Sequence, residues 1–253
     1  MNPLLLILSL QAATLASQAA DPRIKECHAL ARSDPRQALS MSGDLRTKGG
    51  GHAALHCQGL AQAKLEQWRA AAASFEEAAR EAEAARDPKH GDYLVQAGNS
   101  LLAAGEPAKA RALLDAAFAT GLLSPELQGE VHFDRARAAI ALNQLGTARS
   151  EADAGLKLVP ADPFGWYLSS ALALKEGRLA RAQDDIAEAL RLAPEDPDLL
   201  FHAGNVAGIS GELEAALGLY SKAVRVAPQS EAARKARAAI AANSPEATPA
   251  QPK

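Results

Sequence analysis

Small and aliphatic side chains recur at fixed positions along the C-terminal half of the chain. Pro160, Pro194 and Pro228 stand 34 residues apart, and an alanine lies twelve residues before each of them. A second small residue, glycine or alanine, lies five residues before each proline. Because proline cannot continue a helix, each of the three is expected to close one, and each period predicts two helices. The regular repeats cover residues 129–162, 163–196 and 197–230.

The same pattern continues towards the N-terminus with less regularity. Two further repeats are predicted at residues 52–85 and 91–124, and residues 20–51 predict a degenerate N-terminal helical unit. After the last regular repeat, residues 231–242 predict the polar capping helix that such arrays require. The tail, residues 243–253, has three prolines and few apolar residues, so we expect it to be disordered.

The turn inside each repeat carries a glycine or an asparagine. Gly105, Gly177 and Gly211 open this turn in three repeats, and Asn143 opens it in a fourth. Both residue types reach left-handed φ values at low cost. A period of 34 residues with two helices and this turn resembles the tetratricopeptide repeat family. The resemblance implies an all-α, right-handed superhelical solenoid of helix-turn-helix repeats with a concave groove.

Residues 1–19 are typical of a signal peptide. An apolar run at residues 4–8 is followed by small residues, and Ser17 and Ala19 fit the rule that predicts cleavage after Ala19. The stretch is too short and too interrupted by polar residues for a comfortable membrane span. No Lys or Arg precedes the apolar run, so an uncleaved N-terminal anchor helix is the alternative. We expect an exported protein, periplasmic or secreted, with no membrane span after signal cleavage.

Charge and composition narrow the classes of partner. The chain has 27 basic and 30 acidic residues, a net charge of −3, and no long run of one sign. Neither nucleic acid nor an anionic membrane surface is therefore an expected partner. Apolar residues make up 48% of the chain but aromatic residues only 4%, which predicts a thin, alanine-rich helical core.

The two cysteines lie one repeat apart near the N-terminus. The residue one period before Cys57 is position 23, and Cys27 lies one helical turn beyond it. An exported protein in an oxidising compartment is expected to join such a pair, so we predict a Cys27–Cys57 disulfide. The first alternative is two buried free thiols. The second is a metal site or an enzymatic site that combines both cysteines with His28, His52 and His56.

No arrangement of residues in the sequence argues for catalysis or for a bound cofactor. Adjacent carboxylates such as Asp184 and Asp185 diverge on a helix and are expected to face solvent. His90, His132 and His202 have no acid or nucleophile paired with them by motif. We therefore expect a protein that is not an enzyme and that holds no cofactor or metal.

The resemblance also implies a peptide-binding groove on the first helix of each repeat. Positions 5 and 9 of those helices hold the candidate groove residues Val95, Asn99, Phe133, Arg137, Tyr167, Phe201 and Asn205. Aromatic side chains often anchor interfaces, and side-chain amides can bond to a peptide backbone. The alternative is that several of these side chains pack between helices. Among the position-9 residues only Arg137 is basic, so capture of an acidic C-terminus is not expected.

The sequence thus predicts a non-catalytic scaffold that binds a protein or peptide segment in this groove. The resemblance suggests an exported bacterial type, with a role in envelope or secretion-related assembly. A self-associating structural module, in which the groove or one end of the array takes another copy, is the second hypothesis. The metal-binding or enzymatic use of the cysteine and histidine cluster is the third.

Overall fold

The computed structural model describes residues 22–243, which contain thirteen α-helices. These residues fall into two compact bodies, which divide between Leu122 and Leu123. We call them the N-terminal body and the C-terminal body. The predicted signal peptide lies outside the described residues, as does the predicted tail from residue 244 onwards.

The N-terminal body consists of three consecutive helix pairs. Its helices are α1 (Pro22–Ser33), α2 (Pro35–Thr47), α3 (Gly51–Lys64), α4 (Trp68–Ala84), α5 (His90–Ala103) and α6 (Pro107–Ala119). Each helix packs against the next one in the chain, and α1 also packs against α3. The first helices α1 and α3 therefore lie side by side.

The C-terminal body contains three more pairs and a final helix. Its helices are α7 (Pro125–Ala141), α8 (Leu145–Leu158), α9 (Pro163–Lys175), α10 (Leu179–Leu192), α11 (Pro197–Ile209), α12 (Leu213–Val226) and α13 (Glu231–Ala242). Helix α7 begins four residues before the expected repeat boundary at residue 129. The Ser124 side chain accepts a hydrogen bond from the Leu127 backbone N–H, and Pro125 occupies the first turn, so local capping starts the helix early.

The helix ends follow the turn chemistry predicted from the sequence. Gly105, Gly177 and Gly211 have φ values of 74°, 71° and 82°. Asn143 takes the same left-handed conformation with a φ of 57°, which confirms its role in the fourth turn. Asp162, immediately before a proline, accepts the Phe164 backbone N–H and caps α9.

The core is built from small residues that let aromatic rings approach a neighbouring backbone. Phe133 on α7 is 1% exposed, and a Cβ atom added at Gly155 or Gly165 would overlap its ring. Gly204 leaves the corresponding space for the ring of Tyr220. Glycine at these positions therefore permits the close approach of ring and backbone.

A buried polar network between α8, α9 and α10 corrects the expectation that Asp185 faces solvent. Asp185 is 5% exposed and accepts a hydrogen bond from Ser169 Oγ at 2.5 Å. Arg181 Nε lies 3.3 Å from the same carboxylate, and Arg149 Nη1 donates to Ser169 Oγ at 2.6 Å. The carboxylate can be buried because Arg181 and the Ser169 hydroxyl compensate for its lost hydration.

Candidate functional site

The first helices α9 and α11 contact each other and present aromatic side chains on one face. Phe164 and Tyr167 are one helical turn apart on α9, as are Asp198 and Phe201 on α11, so each pair shares a helix face. Phe164 is 40% exposed, and its ring centroid lies 6.2 Å from that of Tyr167. We call the surface formed by Phe164, Tyr167, Asp198, Phe201 and Asn205 the first-helix face.

Side chains below this surface hold its aromatic rings in place. The Tyr167 ring stands edge-on to the ring of buried His202, with centroids 4.9 Å apart. The Phe201 ring lies 5.7 Å from that of Tyr220, whose hydroxyl donates a hydrogen bond to Asn205 Oδ1 at 2.9 Å. Because Tyr220 already occupies that carbonyl oxygen, the Asn205 side chain offers a partner mainly its amide N–H donors.

The other predicted groove residues differ in their exposure and in their hydrogen-bond partners. Val95 and Phe133 are buried at 4% and 1% exposure, so both side chains belong to the core. Arg137 Nη1 is paired with Asp134 Oδ1 at 2.8 Å. Asn99, in the N-terminal body, is half-buried, and its Oδ1 is a buried oxygen without a hydrogen-bond partner.

The predicted cysteine pair joins α1 to α3 in the N-terminal body. Cys27 and Cys57 are fully buried, their sulfur atoms lie at covalent bonding distance, and their Cα atoms are 6.0 Å apart. Two sulfurs bonded to each other are not available as thiolate ligands. Within residues 22–243, no group of three or more His, Cys, Asp or Glu side chains is arranged to hold a metal ion.

The histidines near this pair form an aromatic cluster instead. The rings of His28 and His56 meet edge to face at 4.8 Å, and His56 lies 4.8 Å from the ring of Tyr93. Burial, together with the smaller effect of the neighbouring His28, lowers the pKa of His56 to about 4. His56 therefore remains neutral at pH 7 and packs as an aromatic ring.

His202 is held in the neutral form by the same effect in the C-terminal body. Burial lowers its pKa to about 4. Ser170 Oγ donates to the Ala182 carbonyl at 2.8 Å and lies 3.0 Å from His202 Nε2. Because the Ser170 hydroxyl proton is donated to the Ala182 carbonyl, His202 must be the donor in the contact between the two side chains. We therefore assign the tautomer in which His202 Nε2 carries the proton. This buried pair has a structural role and leaves no free serine nucleophile.

Comparison with known proteins identifies the family. The family model described as tetratricopeptide repeat matches residues 95–163 and 167–231, more than half of the chain. The chain belongs to the tetratricopeptide repeat family. No curated protein sequence matches it.

Solved tetratricopeptide structures with the same fold are similar in shape but distant in sequence. PilW, described as a widely conserved type IV pilus biogenesis factor, has a TM-score of 0.72 at 19% identity, with 87% of this chain and 99% of PilW covered. PilF from Pseudomonas aeruginosa has a TM-score of 0.67 at 15% identity, with 87% and 96% covered. YrrB, described as having an unusual peptide-binding site, has a TM-score of 0.51 at 17% identity, with 78% and 96% covered.

Two residues of the first-helix face did not emerge from the sequence analysis of this tetratricopeptide chain. Phe164 and Asp198 occupy position 2 of their repeats, three residues before Tyr167 and Phe201. Helical spacing puts positions 2 and 5 on one face. Extending the aromatic pattern back by one turn from position 5 would have found Phe164, whereas Asp198 carries no aromatic signal and is found only from its place on the same helix face.

The low pKa of His202 predicts that this tetratricopeptide protein loses stability in mild acid. The unfolded chain binds a proton below its pKa of about 6.5, whereas folded His202 does so only near 4. The contribution of neutral His202 to the free energy of unfolding is therefore fully present above pH 6.5 and is lost as the pH falls from 6.5 to 4. His202 is expected to lower the free energy of unfolding by about 2 kcal/mol when the pH falls from 7 to 5. We expect the His202→Gln variant to lack this part of the decrease.

Urea unfolding at the two pH values measures this effect. Trp166 lies in the C-terminal body, so its fluorescence in a Trp68→Phe background follows the body that contains His202. Glutamine keeps a donor towards Ser170 but does not titrate. An unchanged difference between pH 7 and pH 5 in the variant would show that His202 does not cause the loss.

Proposed function

We propose that this tetratricopeptide repeat protein is a non-catalytic scaffold that binds a protein or peptide segment on the first-helix face. The observation that carries the proposal is the exposure of apolar side chains on the first helices α9 and α11. Phe164 is 40% exposed and Ile209 is 62% exposed, whereas Phe133 at position 5 of α7 is buried. Large apolar side chains left at the surface beside half-buried aromatic rings are typical of binding surfaces.

The N-terminal body, considered by itself, carries a polar candidate for binding. Asn99 Oδ1 on α5 is a buried oxygen without a hydrogen-bond partner among residues 22–243. An unpaired buried acceptor is unfavourable, and rotation of the half-buried Asn99 side chain would let a backbone N–H from a bound segment satisfy it. We propose that Asn99 accepts such a bond.

We propose further that the protein is exported and acts in assembly at a bacterial envelope, such as pilus or secretion machinery. The apolar run at residues 4–8, the small residues up to Ala19 and the Cys27–Cys57 pair support export into an oxidising compartment. Within residues 22–243, no helix is long and apolar enough to cross a membrane. The fold shared with PilW and PilF supports this setting.

Capture of partners from a bacterial envelope fraction, with affinity then measured on the purified partner, tests the proposed function. Tyr167→Ala is expected to weaken partner binding at least about tenfold, because truncating a central aromatic anchor costs about 2 kcal/mol or more. Arg191→Ala is the control, since Arg191 is an exposed residue of second helix α10 that pairs with Glu188. We expect this variant to bind normally.

Two other results would change the assigned binding face or the assigned occupant. If Tyr167→Ala binds normally while Arg191→Ala loses the partner, the binding face lies on the second helices. If the mass in solution rises with concentration and Tyr167→Ala stops the rise, the occupant of the first-helix face is a second copy of the chain. Circular dichroism of each variant confirms that the fold is retained.

A further inference from the structure

A pocket of about 320 Å³ opens between the starts of α9 and α11. Its lining residues are Pro163, Phe164, Tyr167, Asp196, Asp198 and Leu199. Two aromatic rings thus share one small pocket with two carboxylates. The pocket forms one end of the first-helix face, because Phe164, Tyr167 and Asp198 belong to both.

Within residues 22–243, the two carboxylates of this pocket have no ion-pair partner, and the nearby Lys222 ammonium donates to the Pro194 carbonyl at 2.9 Å instead. Asp196 Oδ1 accepts the backbone N–H groups of Asp198 at 2.9 Å and of Leu199 at 3.0 Å, which fixes the carboxylate at the start of α11. Asp198 is exposed, and neither aspartate forms an ion pair with any residue in 22–243. A helix N-terminus carries only about half a positive charge, so two carboxylates leave the pocket negative.

Carboxylates also lie near one another at the start of α7, in the neighbouring repeat. Burial raises the pKa of Glu130, near the start of α7, and the charges of Asp162 and Asp134 raise it further. In the pocket itself, burial and the negative charge of Asp198 raise the pKa of Tyr167.

We propose that this pocket takes an arginine or lysine side chain of the bound segment, whose apolar residues then lie against Phe164 and Tyr167. The inference rests on the proposed function and names the chemistry of the partner. A cation is attracted to the faces of aromatic rings and forms charge-assisted hydrogen bonds with carboxylates. The apolar stem of either side chain packs along the rings while its charged end reaches Asp198.

A pair of peptides that differ only in charge tests the proposal. Isotope-labelled protein is titrated by NMR with the acetylated, amidated pentapeptide Leu-Ala-Arg-Ala-Leu and with the same peptide carrying citrulline, which keeps the shape of arginine without its charge. We expect the arginine peptide to shift backbone amide signals at the starts of α9 and α11. The citrulline peptide is expected to bind about tenfold more weakly.

Matched aspartate variants locate the binding site. Asp198→Asn is expected to weaken the arginine peptide about threefold and to reduce the effect of added salt. Asp184→Asn, which neutralises an exposed carboxylate on second helix α10, is expected to leave binding unchanged. Equal affinity for both peptides, or no signal shift with either one, overturns the proposal.

The outcomes also separate this inference from the proposed function. Suppose that Tyr167→Ala loses the native partner, whereas Asp198→Asn binds it as tightly as the unsubstituted protein does. The scaffold function then stands, and the proposal that the partner inserts a basic side chain into the pocket is wrong. If the arginine peptide binds the pocket while Tyr167→Ala captures the native partner normally, the pocket stands and the proposed partner face is wrong.

Discussion

Replacing Phe133 by alanine is expected to lower the free energy of unfolding of the C-terminal body by about 3–5 kcal/mol. The ring is 1% exposed and fills the space that Gly155 and Gly165 leave by lacking a Cβ atom. Since neither glycine has a side chain to move into the gap, the substitution leaves a cavity between α7, α8 and α9. Urea unfolding followed by Trp166 fluorescence in a Trp68→Phe background measures the loss, because each body holds one of the two tryptophans.

Phe164→Ala is the matched control for this prediction. Phe164 is the same residue type on the neighbouring first helix, but it is 40% exposed. Its removal is expected to cost about 1 kcal/mol, since much less apolar area returns to water. We expect Phe133→Ala to impair folding, whereas Phe164→Ala should impair binding of the arginine peptide. Equal, small losses of stability in both variants would place Phe133 outside the core.

Loss of the Cys27–Cys57 bond is expected to lower the unfolding free energy of the N-terminal body by about 3–4 kcal/mol. The bond closes a chain segment with a sequence separation of 30 residues and ties α1 to α3. Without it, the unfolded chain gains conformational freedom that the folded body does not. The double variant Cys27→Ala/Cys57→Ala, unfolded in urea and followed by Trp68 fluorescence in a Trp166→Phe background, measures the effect.

Reduction of the unsubstituted protein supplies the control. A reducing agent should lower its stability by the same amount and leave the double variant unchanged. Protein purified without reductant should show no reactive thiol after unfolding. Two titratable thiols per chain would show that the bond is absent from the isolated protein, and the argument for an oxidising compartment would then lose this support.

The repeat architecture was predictable because its signals are local in the chain. Helix ends depend on the nearest residues, as at Asp162, where the side chain caps α9 before a proline. The left-handed turn at Asn143 depends on the conformational preference of a single residue. Such preferences act within one turn of the chain, and the 34-residue period repeats them often enough to be recognised.

Which side chains form the candidate surface was not predictable in the same way. Phe133, Tyr167 and Phe201 occupy the same position of three successive repeats, yet only Phe133 is fully buried. The difference comes from Gly155 and Gly165, on two other helices, which make room for one ring only. The repeat spacing shows that the three aromatic residues are equivalent in position, but the space around each ring depends on residues of other helices.

The sequence by itself therefore determined the all-α repeat fold, the turns between helices and the two cysteines that could pair. Tertiary structure alone decided the burial of Asp185 beside Ser169 and Arg181, the packing of His56 as a neutral ring and the pocket between Phe164 and Asp198. The physical reason is the range of the interactions. Caps and turns depend on neighbours in the chain, whereas burial and electrostatic fields depend on side chains that only packing brings together.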